Sequence, residues 1–411
     1  MFDKTAPKGM RDILPNELII RENVMHTIKN VYRSFGFNGI ETPCVEDLSI
    51  LTSKQGGDNE KLIFKILKRG EKLENSSNDD LCDLGLRYDL TVPLTRYYAN
   101  NQGKLPSVFK AMQIGNVWRA ERPQKGRFRQ FVQCDIDIIG EDTFLAETEL
   151  ILATTQALIS LGLADFTLRI NDRRLLTSLA NECGFKEEEH ESVFIALDKL
   201  DKIDLTGVRE ELYLLDPDKS KADKFLKIIE QFNNTEKPLQ YAQQFDGLAA
   251  KNLQSIIEIT QSLTKSKIVF DISLVRGMNY YTGTIFEISY DDYGVSVAGG
   301  GRYDKMLGKF LGTDIPACGF SIGFERICAI LTEQNKTQTQ TEQKIALIVD
   351  KDANLQNLQK VFTLSKQYIS EGKICTVIKR IKNFGYLIKQ LKEQGYTELF
   401  ILEGNDIRKV I

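Results

Sequence analysis

The densest chemistry in the chain lies in WRAERPQKGRFRQFVQCDID, residues 118–137. Arg119, Arg122, Lys125, Arg127 and Arg129 put five cations within eleven residues, and Pro123 and Gly126 mark a turn between two β-like stretches. Guanidinium groups grip phosphate bidentately and a neighbouring Phe131 offers a face on which a base can stack, so the segment suits a nucleotide or nucleic acid. A solvated basic hairpin is the plainer reading of the same residues. Gln133, Asp135 and Asp137 then alternate at period two, which puts polar acceptors on one face of the strand leaving the hairpin.

Three further segments carry candidate chemistry. LVRGMNYYTGTIFEI sets Arg276 and the pair Tyr280-Tyr281 against a strand, with glycines at 277 and 283; aromatics there fit a core as well as a pocket. VAGGGRYDKML has three consecutive glycines, 299 to 301, before Arg302-Tyr303-Asp304, and consecutive glycine lets backbone approach a ligand closely. It is neither a GxGxxG fingerprint nor a P-loop. ACGFSIGFERICAIL places Gly319 and Gly323 ahead of Arg326 and an apolar helix. The 7 cysteines form no Cys-x-x-Cys pair, and the 2 histidines, His26 and His190, have no ligand pattern around them. Neither a zinc site nor a histidine-based hydrolytic triad is therefore indicated. Separated arginines with abundant glycine suggest phosphoryl or nucleotidyl chemistry, where positioning and charge neutralisation do most of the catalysis.

The elements that must hold these residues are legible in outline. A length of 411 residues suggests two or three domains, and 42% hydrophobic with 27% charged residues is the composition of an ordinary globular protein. No apolar run is long enough for a membrane span and no signal peptide is evident, so a cytoplasmic protein is expected. Residues 1–171 and 266–331 read as an antiparallel sheet core interrupted by a helical insertion at 172–265, with a turn at Asp216-Pro217-Asp218. The polar stretch 332–343 reads as a linker. Beyond it, 344–411 shows a βαβαβ pattern, a small α/β domain that ends within nine residues of its third strand, ELFIL. The fold class is therefore α+β with a C-terminal α/β domain. That last domain holds 12 Lys/Arg against 7 Asp/Glu in a chain of net charge −3, consistent with either a polyanion-binding appendage or a solvated lysine-rich surface.

Taken together, GMRDILP (9–15), ETPCVED (41–47), RYDLTVPLTR (87–96), the arginine hairpin, LVRGMNYYTG, GGGRYD and GFSIGFER resemble, in order and spacing, the histidyl-tRNA synthetases among the class II aminoacyl-tRNA synthetases. The resemblance covers roughly residues 5–400 and rests on RGxxYYTG combined with two arginine motifs. It implies a class II antiparallel core, a homodimer, and ATP, Mg²⁺, L-histidine and histidine tRNA as ligands. Carried over by position, it implies that Arg119 binds the α-phosphate, Glu121 the adenine edge, and that Phe131 and Arg326 sandwich the adenine. It further implies that Asp89 holds the substrate ammonium beside Thr91 and Gln133, and that Asp137 and Tyr281 read the imidazole with Tyr303 lining the pocket. Arg276 would share catalysis with Arg119, while Arg122 and Gln124 would meet the acceptor end of the tRNA. No protein-held metal is implied. Asn279 stands where the family usually has Asp, and the 344–411 domain, which would bind the anticodon, looks shortened. Two rival readings remain: a non-charging paralogue serving as a regulatory subunit in histidine biosynthesis, and an adenylating enzyme with a non-tRNA acceptor.

Overall fold

A computed structural model of the chain describes residues 4–52, 61–77, 80–123, 127–215, 219–276, 280–290, 294–334, 343–403 and 406–411. Two compact units result, Met1–Asp12 with Glu22–Gln334, and Ile13–Arg21 with Asn335–Ile411.

The first unit is organised by a sheet of eight strands. In spatial order they are Asn38–Gly39, Phe109–Trp118, Gln130–Ile139, Ala317–Gly323, Val295–Arg302, Thr284–Tyr290, Phe166–Asp172 and Lys267–Phe270. The six central strands pair antiparallel, as the alternating sequence patterns lead one to expect. Both edge strands, however, pair parallel with their neighbours, so the sheet is mixed at its rims. Period two explains the division of labour along Gln130–Ile139. Cys134, Ile136 and Ile138 are buried, and Cys134 lies close to Tyr32 and Cys328, so this face is covered by the helices Pro15–Ser34 and Phe324–Glu333. Gln133, Asp135 and Asp137 point to the opposite face.

Between Phe166–Asp172 and Lys267–Phe270 the described residues form six helices: Arg173–Glu182, Glu187–Leu197, Leu200–Leu215, Ser220–Asn234, Pro238–Ala242 and Gly247–Leu263. They bury their own apolar cluster, which includes Leu176, Leu197, Leu212, Phe225 and Ile229. The Asp172 carboxylate caps the first of these helices by accepting from the Arg174 amide. The third helix is broken at Asp204, whose backbone has φ 56 and whose carboxylate accepts from the Thr206 and Gly207 amides, restarting the helix. The turn expected at Asp216-Pro217-Asp218 lies outside the described residues.

Two expectations about the C-terminal part are corrected. Thr332 and Glu333, read as the start of the linker, instead complete the helix Phe324–Glu333, and residues 335–342 lie outside the described residues. The terminal domain has four strands rather than three: Asp406–Lys409 returns antiparallel along Glu398–Glu403, giving the order Ile374–Lys379, Lys344–Val349, Glu398–Glu403, Asp406–Lys409. All four of its residues are exposed, so no apolar alternation signalled the strand. The other three strands are parallel. Ala346 and Ile348 pack with Leu387 and Leu391 of the helix Phe384–Glu393. Ile345, Leu347 and Val349, on the opposite face, pack with Val361 of the helix Leu355–Ser370. Each face of that small sheet thus has its own helix and its own core.

Candidate active site

The two strands of the arginine hairpin form as expected, while residues 124–126 between them lie outside the described residues. The strands pair from Phe109↔Ile139 to Trp118↔Gln130, and the Arg119 amide extends the ladder by donating to the Arg129 carbonyl at 2.8 Å. The Arg119 side chain turns inward: its Nε donates to the Tyr88 carbonyl at 2.9 Å, and its guanidinium lies 5.1 Å from the centroid of the Phe131 ring. Arg129 is structural, its Nε donating to the Glu121 carbonyl at 3.0 Å and its amide to the Gly9 carbonyl at 2.7 Å.

Two connected hollows open on the polar face of the sheet. The inner one is a pocket of about 130 Å³ lined by Asp89, Thr91, Gln133, Asp137, Tyr281 and Tyr303 together with Asp135 and Tyr280. The outer one, about 740 Å³, is lined by Phe131, Arg127, Glu287 and Arg326, with Asp198, Asp201 and Lys202 from the helical insertion. Arg119, Gln133 and Arg276 line both, so two arginines stand at the junction.

Carboxylates dominate the inner cavity. Asp89 Oδ1 accepts from the Val92 amide at 3.0 Å at the start of the helix Thr91–Asn101, while its Oδ2 is buried with no partner among the described residues. Burial raises the Asp89 pKa to about 6, the Val92 amide and Arg119 opposing the shift. Asp137 accepts from the Tyr303 hydroxyl at 2.6 Å, and burial raises its pKa to about 7, the Tyr303 bond opposing and the Asp89 charge adding. The three tyrosines pack edge-on, with 4.8 Å between the Tyr280 and Tyr281 ring centroids and 6.0 Å between those of Tyr280 and Tyr303.

Glycine makes room at two decisive points. Gly319 faces Asp137 across the ladder, and a Cβ there would lie 2.0 Å from Asp137 Oδ1. A Cβ on Gly299 would lie 2.2 Å from Arg276 Nη1. Arg276 itself has φ 61, a left-handed backbone that a non-glycine residue adopts only when its surroundings compel it. Its guanidinium is ion-paired with Glu287 of the strand Thr284–Tyr290, and its Nε is buried with no hydrogen-bond partner among the described residues. Arg326 sits in the first turn of its helix and donates to the Ser296 carbonyl; burial, with Arg127 and Arg276 nearby, lowers its pKa.

The fold therefore brings Arg119, Phe131, Arg276 and Arg326 into one cleft and Asp89, Thr91, Gln133, Asp137, Tyr281 and Tyr303 into the cavity behind it. Glu121 is not part of either lining, Arg122 is exposed on the hairpin, and Gln124 and Asn279 lie outside the described residues. Glu287 and the insertion's Asp198, Asp201 and Lys202, where the helix Leu200–Leu215 begins, are residues that sequence reasoning passed over. For Glu287 a signal existed, a carboxylate embedded in the β-branched run TIFEISY. The insertion residues carried none, because their place beside the cleft depends on how six helices pack. Among the described residues no group of three metal-ligating side chains occurs.

A family model described as histidyl-tRNA synthetase matches residues 9–327. The chain is 41% identical to a histidine–tRNA ligase of Leifsonia xyli over 98% of its own length and 96% of that protein's. It is 40% identical to one of Aeropyrum pernix over 78% of its length and 72% of that protein's. A crystal structure of histidyl-tRNA synthetase from Nostoc superposes with a TM-score of 0.77 at 25% identity, covering 100% of this chain and 97% of that one. A Bacillus halodurans structure described as an ATP phosphoribosyltransferase regulatory subunit/histidyl-tRNA synthetase superposes at 0.80 with 21% identity, a likeness of fold alone. The fold and cleft are those of a class II synthetase core. The chain belongs to the histidyl-tRNA synthetase family.

Proposed function

We propose that this chain activates L-histidine with ATP and transfers it to the 3′ end of histidine tRNA. The observation that carries the reading is a carboxylate- and tyrosine-lined pocket joined through Arg119 and Arg276 to a cleft bearing Phe131 and Arg326. An amino acid that brings a cationic ammonium and a hydrogen-bonding ring satisfies the first, and a nucleotide satisfies the second.

In the first step a histidine carboxylate oxygen attacks the α-phosphorus of ATP. The new O–P bond forms as the bond to the bridging oxygen breaks, and pyrophosphate leaves with that electron pair. Arg119 and Arg276, at the junction of the two hollows, neutralise the charge that builds on the α-phosphoryl oxygens. Phe131 and Arg326 hold the adenine between an aromatic face and a guanidinium plane; Glu121, expected at its edge, does not line the cleft. Asp89, Thr91 and Gln133 hold the ammonium, while Asp137, Tyr281 and Tyr303 read the imidazole. In the second step the terminal ribose hydroxyl of the tRNA attacks the acyl carbon and AMP departs. Neither step needs a protein nucleophile. Arg122 and Gln124 meet the acceptor end.

Mg²⁺ would accompany ATP as the counterion of its phosphates. Of the carboxylates on the outer cleft, Asp201 and Glu287 are already held by Arg169 and Arg276, so the described residues form no ready cage for a protein-held cation. In this reading 1–171 with 266–331 is the catalytic core, 172–265 the insertion, and 344–411 an anticodon-binding domain. The protein works as a cytoplasmic homodimer.

ATP–pyrophosphate exchange against all twenty amino acids, followed by charging of total tRNA, tests the proposal. Exchange with histidine and charging of a histidine tRNA is the expected result. Exchange without charging means a different acceptor, and absence of exchange means a regulatory paralogue.

A further inference from the structure

Six carboxylates in the described part of the protein are at least 95% buried: Glu46, Asp89, Asp135, Asp137, Glu147 and Asp172. Three of them are matched by arginine at close range, Glu46 with Arg96 and Glu147 with Arg302 at 2.7 Å, and Asp172 with Arg174 at 2.8 Å. The other three all line the inner cavity. A buried carboxylate without a cation is costly, and a fold that pairs its structural acids so consistently has left these three for something it does not itself supply.

Asp135 is the one among them to which nothing above assigns a role. It lies on Gln130–Ile139 opposite Gln113 on one side and Ser321 on the other. Its oxygens receive long contacts from Gln133 Nε2, at 3.4 and 3.5 Å, and it lies within hydrogen-bonding range of the Ser321 hydroxyl. Burial and the neighbouring Asp137 push its pKa well up, with Ser321 and Arg119 opposing. Of the two nearby arginines, Arg119 donates its Nε to the Tyr88 carbonyl and Arg276 is ion-paired with Glu287, and neither has a hydrogen bond to Asp135 among the described residues.

The acceptors left over have a definite number. Among the described residues Asp89 Oδ2 and Gln133 Oε1 are both buried without a partner, and the Asp135 carboxylate, held by the Ser321 hydroxyl and two long contacts from Gln133 Nε2, keeps lone pairs to spare. A primary ammonium has three N–H donors. We infer that Asp135 is a substrate-binding residue which, with Asp89 and the Gln133 carbonyl, completes a three-acceptor seat for the α-ammonium of the amino acid. This rests on the reading of the cavity as the histidine site and adds to it a second negative charge at the ammonium. The doubled charge makes the seat selective for a cationic amine over a neutral or absent one, and it leaves Asp137 to the ring.

The test separates the ammonium from the ring. Calorimetry on the full chain compares histidinol, which has the ammonium and the ring, with imidazolepropionate, which has the ring and lacks the ammonium. Asp135→Asn should weaken histidinol at least tenfold and change imidazolepropionate less than twofold. The ligand-free variant should melt no lower than the parent, because an amide of the same shape replaces a carboxyl group whose ionised form burial disfavours. Asp135→Ser, smaller and also neutral, should repeat the pattern. Unchanged histidinol affinity in both variants, equal losses for the two ligands, or a lowered ligand-free melting temperature in both variants would each overturn the assignment. If the unaltered protein binds neither histidine nor histidinol, the functional reading fails and not merely the role of Asp135.

Discussion

At the scale of single residues, the junction of the two hollows is where function is most exposed to change. Arg276 combines a left-handed backbone, an ion pair with Glu287 and an Nε with no hydrogen-bond partner among the described residues, so it is held in place at a conformational cost. Arg276→Ala is expected to lower the rate of pyrophosphate exchange by roughly 10²–10³-fold while histidine affinity stays near normal. Exchange within a few-fold of the parent would dismiss the role. Gly299→Ala should imitate it without touching a charged group, since its methyl would occupy the space of the Arg276 guanidinium; steady-state kinetics should show a fall in kcat with little change in KM for histidine. Acidity supplies a third expectation. Asp89 and Asp137 have folded-state pKa values of about 6 and about 7, above the ordinary carboxylate value of 3.8. From about pH 4 to about pH 7 the folded protein therefore holds more protons than the unfolded chain, and stability falls as pH rises through that window. The ligand-free melting temperature should be lower at pH 8 than at pH 5, and the difference should shrink in Asp137→Asn. Histidine needs the ionised carboxylates, so its KM should climb as pH drops below about 7; a flat profile would contradict this picture.

At the scale of elements, the catalytic sheet is locked to its neighbours by buried ion pairs rather than by apolar contact alone. Arg302, at the end of the triple-glycine strand, reaches both Glu147 carboxylate oxygens at 2.7 Å on the helix Leu145–Ser160 and also donates to the Glu141 and Thr143 carbonyls. Removing the arginine leaves Glu147 buried and uncompensated, so Arg302→Met should cost about 3–5 kcal/mol, measured by urea unfolding. A loss below about 1 kcal/mol would mean that water replaces the guanidinium. Arg302 follows Gly299, Gly300 and Gly301 and precedes Tyr303, so this lock also sets the register of the residues that shape the cavity. GGGRYD can thus be read as one device, in which glycines admit neighbouring side chains, an arginine anchors the strand, and a tyrosine orients Asp137.

At the scale of the molecule, the two compact units suggest a division of labour that truncation can examine. A chain ending after Gln334 should retain exchange activity and lose most tRNA charging; equal loss of both would tie the terminal domain to catalysis itself. How much of this was written in the sequence follows from what kind of contact each feature depends on. The hairpin, the glycine motifs, the helical insertion and the parallel strands of the last domain all rest on local periodicity and turn chemistry, which a single sequence displays directly. Within reach of the same reasoning was the alternation of Gln133, Asp135 and Asp137, because strand geometry alone puts them on one face. The fourth C-terminal strand was not legible, since four exposed residues bury no apolar face and leave no pattern. Nor could sequence disclose that Glu287 holds Arg276, that residues 198–202 border the outer cleft, or that Asp135 is buried with no arginine paired to it among the described residues. Those facts belong to residues brought together by strand register and helix packing, and desolvation, which makes a carboxylate a binding group, exists only once the chain has closed around it.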